Sequence, residues 1–286
     1  MKITNELLTF IVLARNHESY ILDCLHSLDA FLSKQTELIF VDLGSTDSTV
    51  EIARNFLNQS ERNSRVVDLK GGPLTSTFGL QSVLPLIYTK WVGIISGDDV
   101  ITSDYQSAIC EAWSENTNNT VFNFVLQMVD ERLSPIRLAK PRWAKTKFVN
   151  SKMIYLENRG KSPGSVLPVE CVRKSKFMNI DPRCLIEDYP LWLCLNELVA
   201  FRKIGDGEVL YRQHSNSLSR SRLNDEFAWS IGYCLGLAAG STKSIIKQTL
   251  LKLGRSRWIK QVDPSMHHVV LEGVAVGLQF DWTIDE

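Results

Sequence analysis

Apolar residues in the first half of the chain fall into two alternating patterns. Nearly continuous runs occur at 7–14 (LLTFIVLA), 37–43 (ELIFVDL), 65–69 (RVVDL), 91–96 (WVGIIS) and 120–129 (TVFNFVLQMV). These have the length and composition of buried strands. Between them, apolar positions recur at helical spacing. In 19–33 they are Ile21, Leu22, Leu25, Leu28 and Leu32, behind a Ser19 cap. Further helices are expected at 45–59, capped by Ser or Thr, near 76–89 and near 103–115. Strands alternating with helices predict an α/β fold whose mostly parallel central sheet is covered on both faces.

The pattern weakens over 130–185, which is basic and holds Pro135, Pro141, Pro163, Pro168 and Pro182. This stretch reads as long surface connections with short elements. A helical pattern resumes at 187–201, a strand follows at 207–214, and the tail from about 222 favours helix. No internal repeat or low-complexity segment is present.

Composition narrows the picture. At 286 residues the chain suits one large domain, alone or with a small appendage. Lys+Arg and Asp+Glu each total 32, and no basic stripe stands out, so a nucleic-acid partner is not expected. The six cysteines are scattered without a CxxC pair, which argues against a structural zinc site and a disulfide framework. Reduced thiols in a cytoplasmic protein are the expectation. Asn5 and Glu6 stand where the apolar core of a signal peptide would begin. The apolar stretch FAWSIGYCLGLAAG falls short of the ~20 residues a spanning helix needs.

Three short segments carry candidate chemistry. Asp98 and Asp99 directly follow the run WVGIIS, with Gly97 giving the backbone room to turn. In open α/β sheets ligands bind at the carboxyl ends of strands, and hard oxygen donors there suit Mg2+ or Mn2+. VDLGSTDST at 41–49 is a second acid-bearing turn at a strand end. IEDYPLWL at 186–193 sets Glu187 and Asp188 at a helix start, where Pro190 is tolerated and an ionised carboxylate suits a cap or a general base. Each segment alone is more often a turn or a cap than a site.

Together and in this order they resemble the family 2 glycosyltransferases, enzymes with a GT-A-type, Rossmann-like fold that binds nucleotide-diphosphosugars. The resemblance covers about 7–220 and rests on FIVLARNHESYILDCLHSL, LIFVDLGSTDSTVEIA, KWVGIISGDDVI, IEDYPLWLCL and YRQHSNSLS. It implies a nucleotide-sugar-binding half at 1–129, an acceptor-binding half at 130–220, and a helical C-terminal extension at 221–286. The implied activity is metal-dependent, inverting transfer of a sugar from a nucleotide donor, a UDP-sugar as first choice, to a saccharide or lipid-linked saccharide. The implied setting is bacterial surface-polysaccharide synthesis.

Carried over by position, Asp99 is the first choice for a direct Mn2+ or Mg2+ ligand, with Asp98 at the ribose or the metal's water shell. Asp188 is the first choice for the base that deprotonates the acceptor, with Glu187 its rival. Asp42 is placed at the nucleoside, and Arg212 or His214 near the departing diphosphate. His17, His26, His267 and His268 are read as surface or packed histidines.

The chain also departs from the family pattern. Leu43 replaces a second acid that often helps recognise uracil, and Arg15 replaces a Tyr, with a guanidinium able to stack on a base or meet a phosphate. TSTFGL at 75–80 lacks an expected Arg, and Ser96 stands for the first Asp of a longer acidic motif. These changes leave room for a non-catalytic binding partner that kept the fold. A nucleotidyltransferase is the weaker third reading, since no Gly-rich basic loop follows the first strand.

The acceptor side is expected over 136–168, where Lys140, Arg142, Lys145, Lys147 and Lys152 interleave with Trp143, Phe148 and Tyr155. Gly164 and Ser165 are candidates for the floor beside the acceptor. The basic amphipathic stretch 243–260 leaves a peripheral contact with the inner membrane face, a homo-oligomer contact and internal packing all open.

Overall fold

The computed structural model describes residues 8–114, 119–136, 148–149, 154, 158, 162–215, 217, 224–241 and 262–283. One sheet organises the chain. Its strands are β1 (Leu8–Ala14), β2 (Glu37–Asp42), β3 (Ser64–Asp68), β4 (Trp91–Ser96), β5 (Val100–Ile101), β6 (Thr120–Val129), β7 (Phe148–Val149), β8 (Ser165–Pro168) and β9 (Ala200–Arg212). They lie in the order β3-β2-β1-β4-β8-β6-β9-β5, with β7 paired to β9. The pairs β3/β2, β2/β1, β1/β4 and β6/β9 are parallel, whereas β8 runs antiparallel to both of its neighbours. The sheet is therefore mostly parallel, as the apolar runs predict, with antiparallel insertions on the β8 and β5 side.

Strand alternation feeds two cores. Ile11, Leu13, Ile39 and Val41 face one side, and Phe10, Val12, Leu38 and Phe40 the other. Helices α1 (Ile21–Phe31), α2 (Thr49–Gln59), α3 (Ser76–Val83) and α4 (Tyr105–Ser114) connect the early strands.

Some boundaries differ from expectation. The N-cap of α1 is Tyr20, not Ser19, and makes no side-chain cap bond. The expected helix at 187–201 ends at Leu195, and β9 begins at Ala200. Its final residues, Ala200 and Phe201, are claimed instead by pairing with β6 and β7, a long-range contact that local periodicity does not report.

Strand β9 also breaks its ladder with β6. Phe124 pairs with Ile204 but Leu126 pairs with Val209, so four residues of β9 oppose a single residue of β6. Gly205, at φ 69°, begins this bulge.

Among the described residues, the C-terminal extension carries two α-helices, in line with expectation. The helices Asp225–Gly240 and His267–Leu278 cross at backbone contact, since a Cβ on Gly232 would lie 2.0 Å from the Val270 carbonyl oxygen, and one on Gly273 would lie 2.2 Å from that of Trp229. Among the described residues no helix is long and apolar enough to cross a membrane. The basic stretch 243–260 and the residues Lys140, Arg142, Trp143, Lys145, Lys147, Lys152 and Tyr155 lie outside the described residues, as does the side chain of Phe148.

Candidate active site

The order β2-β1-β4 brings the loops after these three strands together at their carboxyl ends. The loops after β1 and β2 are bound to each other side chain to backbone. Asn16, at φ 55°, accepts from the Thr46 amide at 2.8 Å, and its own amide donates to Ser45 Oγ at 2.9 Å. The His17 amide donates to Thr49 Oγ1 at 2.7 Å, and the Glu18 amide to Asp47 Oδ2 at 3.1 Å. The STDST segment thus spends its polar groups on holding the 14–18 loop. Asp42, expected at the nucleoside, is turned into its own loop, where Oδ2 accepts from the amides of Gly44 and Ser45 at 2.9 Å each.

The loop after β4 carries the first acid pair. Strand β5 follows it at once and pairs antiparallel with β9, Val100 opposite Leu210. This register sets Asp98 and Asp99 beside the end of β9. Arg212 lies buried there and donates its amide to Asp99 Oδ1 at 2.9 Å and Nε to the Asp98 carbonyl at 2.8 Å. Its Nη1 and Nη2 reach the Glu131 carbonyl and Asp23 Oδ2, and the guanidinium lies 4.8 Å from the centre of the Tyr20 ring. Arg212, named with His214 as a candidate near the diphosphate, is buried at the end of β9 with its guanidinium on these protein groups. Two residues on, His214 Nε2 lies 2.9 Å from Asp98 Oδ2.

The two aspartates differ in role. Asp99 is wholly buried, and burial first, then the charge of Asp98, push its carboxyl well above the usual range against the Arg212 amide bond. Burial also works upward on Asp98, but the His214 hydrogen bond and the charge of His17 outweigh it and hold that carboxyl low. The ionised member, Asp98, is the one that faces the imidazoles. Among the described residues, donors of His17, Asp98 and His214 lie within 4.8 Å of one another, and Asp98 Oδ1 is buried with no hydrogen-bond partner. A carboxylate whose Oδ2 faces two imidazole nitrogens while its Oδ1 is unpartnered fits a divalent cation. The sequence reading names Asp99 first and Asp98 second as metal ligands; in the structure it is Asp98 whose carboxylate meets the His214 imidazole.

A cavity of about 570 Å3 opens at these loops, a size that suits a small-molecule ligand. Arg15 and Leu43 line it beside Leu74 and Ser76, and Leu43 reaches over Gly79, where a Cβ would come within 2.6 Å. Asp98 and Asp99 line it too, and so do Glu187 and Asp188. This second acid pair starts the helix Asp188–Leu195; Glu187 makes no side-chain cap bond, and Asp188 Oδ1 accepts from the next amide, that of Tyr189, at 2.7 Å. Glu187 Oε1 accepts from Ser162 Oγ at 2.7 Å. Burial, then the neighbouring charge of Asp188, push Glu187 up to about 7, partly opposed by that Ser162 bond. Ser162 and Pro163 line the cavity, whereas Gly164 and Ser165 do not.

The approach to this pair is braced by the first C-terminal helix. Ser230 Oγ accepts from the Leu185 amide at 2.9 Å and the Tyr233 hydroxyl from the Asp181 amide at 2.9 Å.

A mostly parallel sheet with two acid pairs in one cavity agrees with the family that the sequence matches. The sequence profile described as Glycosyl transferase family 2 matches residues 9–166. The chain belongs to this family. No curated protein sequence matches it. In fold the glycosyltransferase is similar to the S. aureus protein TarS, residues 1–349, in complex with UDP-GlcNAc. That likeness has a TM-score of 0.69 at 16% identity and covers 95% of this chain and 80% of the other. It is also similar to the mannosyltransferase PcManGT from Pyrobaculum calidifontis in complex with GDP-Man and Mn2+. There the TM-score is 0.59 at 13% identity, over 96% of this chain and 87% of that one. The matched family region carries β1 through the first acid pair and reaches β8; the Glu187–Asp188 pair and His214 lie beyond it.

Proposed function

We propose that this family 2 glycosyltransferase transfers a sugar with inversion, in a metal-dependent reaction, from a nucleotide-diphosphosugar to a hydroxyl of a saccharide or lipid-linked saccharide. The observation that carries this reading is the meeting of two acid pairs of opposite electrostatic character in one cavity. A UDP-sugar is the preferred donor, in line with the UDP-GlcNAc of the TarS complex, and surface-polysaccharide assembly is the proposed setting.

The residues divide the chemistry. Asp98 and His214 would hold the divalent cation, and Asp99, fixed by the Arg212 amide, keeps the loop in place behind them. When bound, the cation offsets the charge that develops on the departing nucleoside diphosphate. Arg15 supplies a cationic group at the cavity wall for base or phosphate. Asp188 takes the proton from the acceptor hydroxyl as its oxygen attacks the anomeric carbon and the bond to the diphosphate breaks. Attack from the face opposite the leaving group inverts the anomeric centre. Glu187, anchored by Ser162, titrates at about 7 beside Asp188.

The test is a turnover assay over a panel of UDP- and GDP-sugars with Mn2+ present or chelated. Turnover that needs the ion and is lost in Asp98→Ala is expected. Ion-independent turnover, or full activity in Asp98→Ala, would sink the assigned roles.

A further inference from the structure

His17 lies at the same cluster and has no part in the assignment above. Its Nε2 is 3.9 Å from Asp98 Oδ2, the oxygen that His214 Nε2 approaches to 2.9 Å. Two donors on one ion at about 2.1 Å each lie at most about 4.2 Å apart, so the trio needs to close by only an ångström or so. That is the scale of a small side-chain rotation. The backbone of His17 is pinned at both ends: its amide donates to Thr49 Oγ1 at 2.7 Å, and its carbonyl accepts from the amides of Tyr20 and Ile21 at 2.9 and 2.8 Å. Gly97 gives the ring its seat, since a Cβ there would lie 3.1 Å from His17 Nδ1. The second oxygen of the same carboxylate, Asp98 Oδ1, is buried without a hydrogen-bond partner, which leaves the group an acceptor for a cation.

We propose that His17 is a third protein ligand to the cation held by Asp98 and His214, and that the three donors bind Mn2+-, Co2+- or Zn2+-type ions before the nucleotide and in preference to Mg2+. The proposal rests on the cation assignment made above for the transferase. Two imidazoles and one carboxylate suit borderline transition ions. Mg2+ prefers oxygen donors, loses its waters reluctantly and usually relies on substrate phosphates to complete its shell. With one imidazole and one carboxylate alone, the ion would depend on the diphosphate. The added imidazole removes that dependence.

The experiment uses the full chain without nucleotide. Co2+ binding is followed by its visible absorption, Mn2+ binding by the EPR signal of the free ion, and Mg2+ is added as competitor. The wild type is expected to bind one Co2+ and to keep it against a large excess of Mg2+. Since outer partners of metal ligands are already worth about 10–100-fold in affinity, loss of a direct ligand in His17→Ala should weaken Co2+ at least about tenfold and change its spectrum. His17→Gln, closer in size, guards against a folding defect, and His214→Ala sets the scale for a lost ligand. Wild-type Co2+ affinity and spectrum in both His17 variants would overturn the proposal. So would a wild type that holds Co2+ no better than Mg2+. Sugar transfer is not read in this experiment, so failure of the transferase reading and failure of this one are separate results.

Discussion

The cavity holds two adjacent acid pairs, and they behave differently. In Asp98–Asp99, one carboxyl is held ionised by imidazoles while the other is buried behind it and forced toward its neutral form by burial and its neighbour's charge. In Glu187–Asp188, Glu187 is pushed up only to about 7, and its bonded partner is a hydroxyl rather than a cation. Two carboxylates side by side cannot both ionise cheaply in a low-dielectric setting, so the neighbours decide which gives way and at what pH. The first pair offers a fixed charge suited to a metal. The second has a proton that can come and go near neutrality, which suits acid–base work.

The sharpest way to break this comparison is Asp188→Asn, which keeps the shape and removes the base. A fall in kcat of about a hundredfold to ten-thousandfold is expected, with Co2+ binding unchanged. Equal loss of metal affinity would mean that the two pairs are not separate devices.

A smaller effect concerns pH. In wild type, kcat/KM should rise through about pH 7 as Glu187 gives up the proton that burial and the charge of Asp188 keep on it, and Glu187→Gln should abolish that limb. Stability supplies an independent reading. Between the ordinary Glu value of 4.5 and about 7, the folded chain holds a proton that the unfolded chain has released. Stability therefore falls as pH rises through that window. Urea midpoints at pH 5 and pH 8 should differ more for wild type than for Glu187→Gln. Asp98 works with the opposite sign, adding stability that is lost only as pH falls below the ordinary Asp value of 3.8.

The smallest expected effect is that of Ser162→Ala. Its hydroxyl favours the ionised form of Glu187, so its removal should shift the activity limb upward by less than about one pH unit. A downward shift would remove Ser162 from this role.

Much of the fold is legible in the sequence because apolar runs and helical spacing are local signals. β1, β2, β3, β4 and β6 fall at or close to the places where the runs predict them. What local patterns do not carry is pairing. The early start of β9 depends on β6 and β7, and the insertion of β8 between β4 and β6 follows a long connection. At the site, the acid pairs are visible as sequence, but the part each member plays is not. Asp98 rather than Asp99 meets the imidazoles because β5 pairs with β9, a contact across more than a hundred residues. For His17 there was one usable signal. A polar run, RNHESY, follows a buried strand, and in a parallel sheet such runs converge with those of neighbouring strands.

The segment from Glu187 to His214 leaves the cavity as a helix and returns to it as β9, so both halves of the chemistry are ends of one stretch of chain. A rigid strand there would be unforgiving, because a slip of one residue exchanges the faces of every side chain beyond it. The four residues of β9 set against one of β6 supply slack in the middle of that return path. Pairing before the bulge and pairing after it are fixed separately. A residue gained or lost within 205–208 can therefore be absorbed where it occurs, while Tyr211 still faces the cavity and Arg212 still faces the interior.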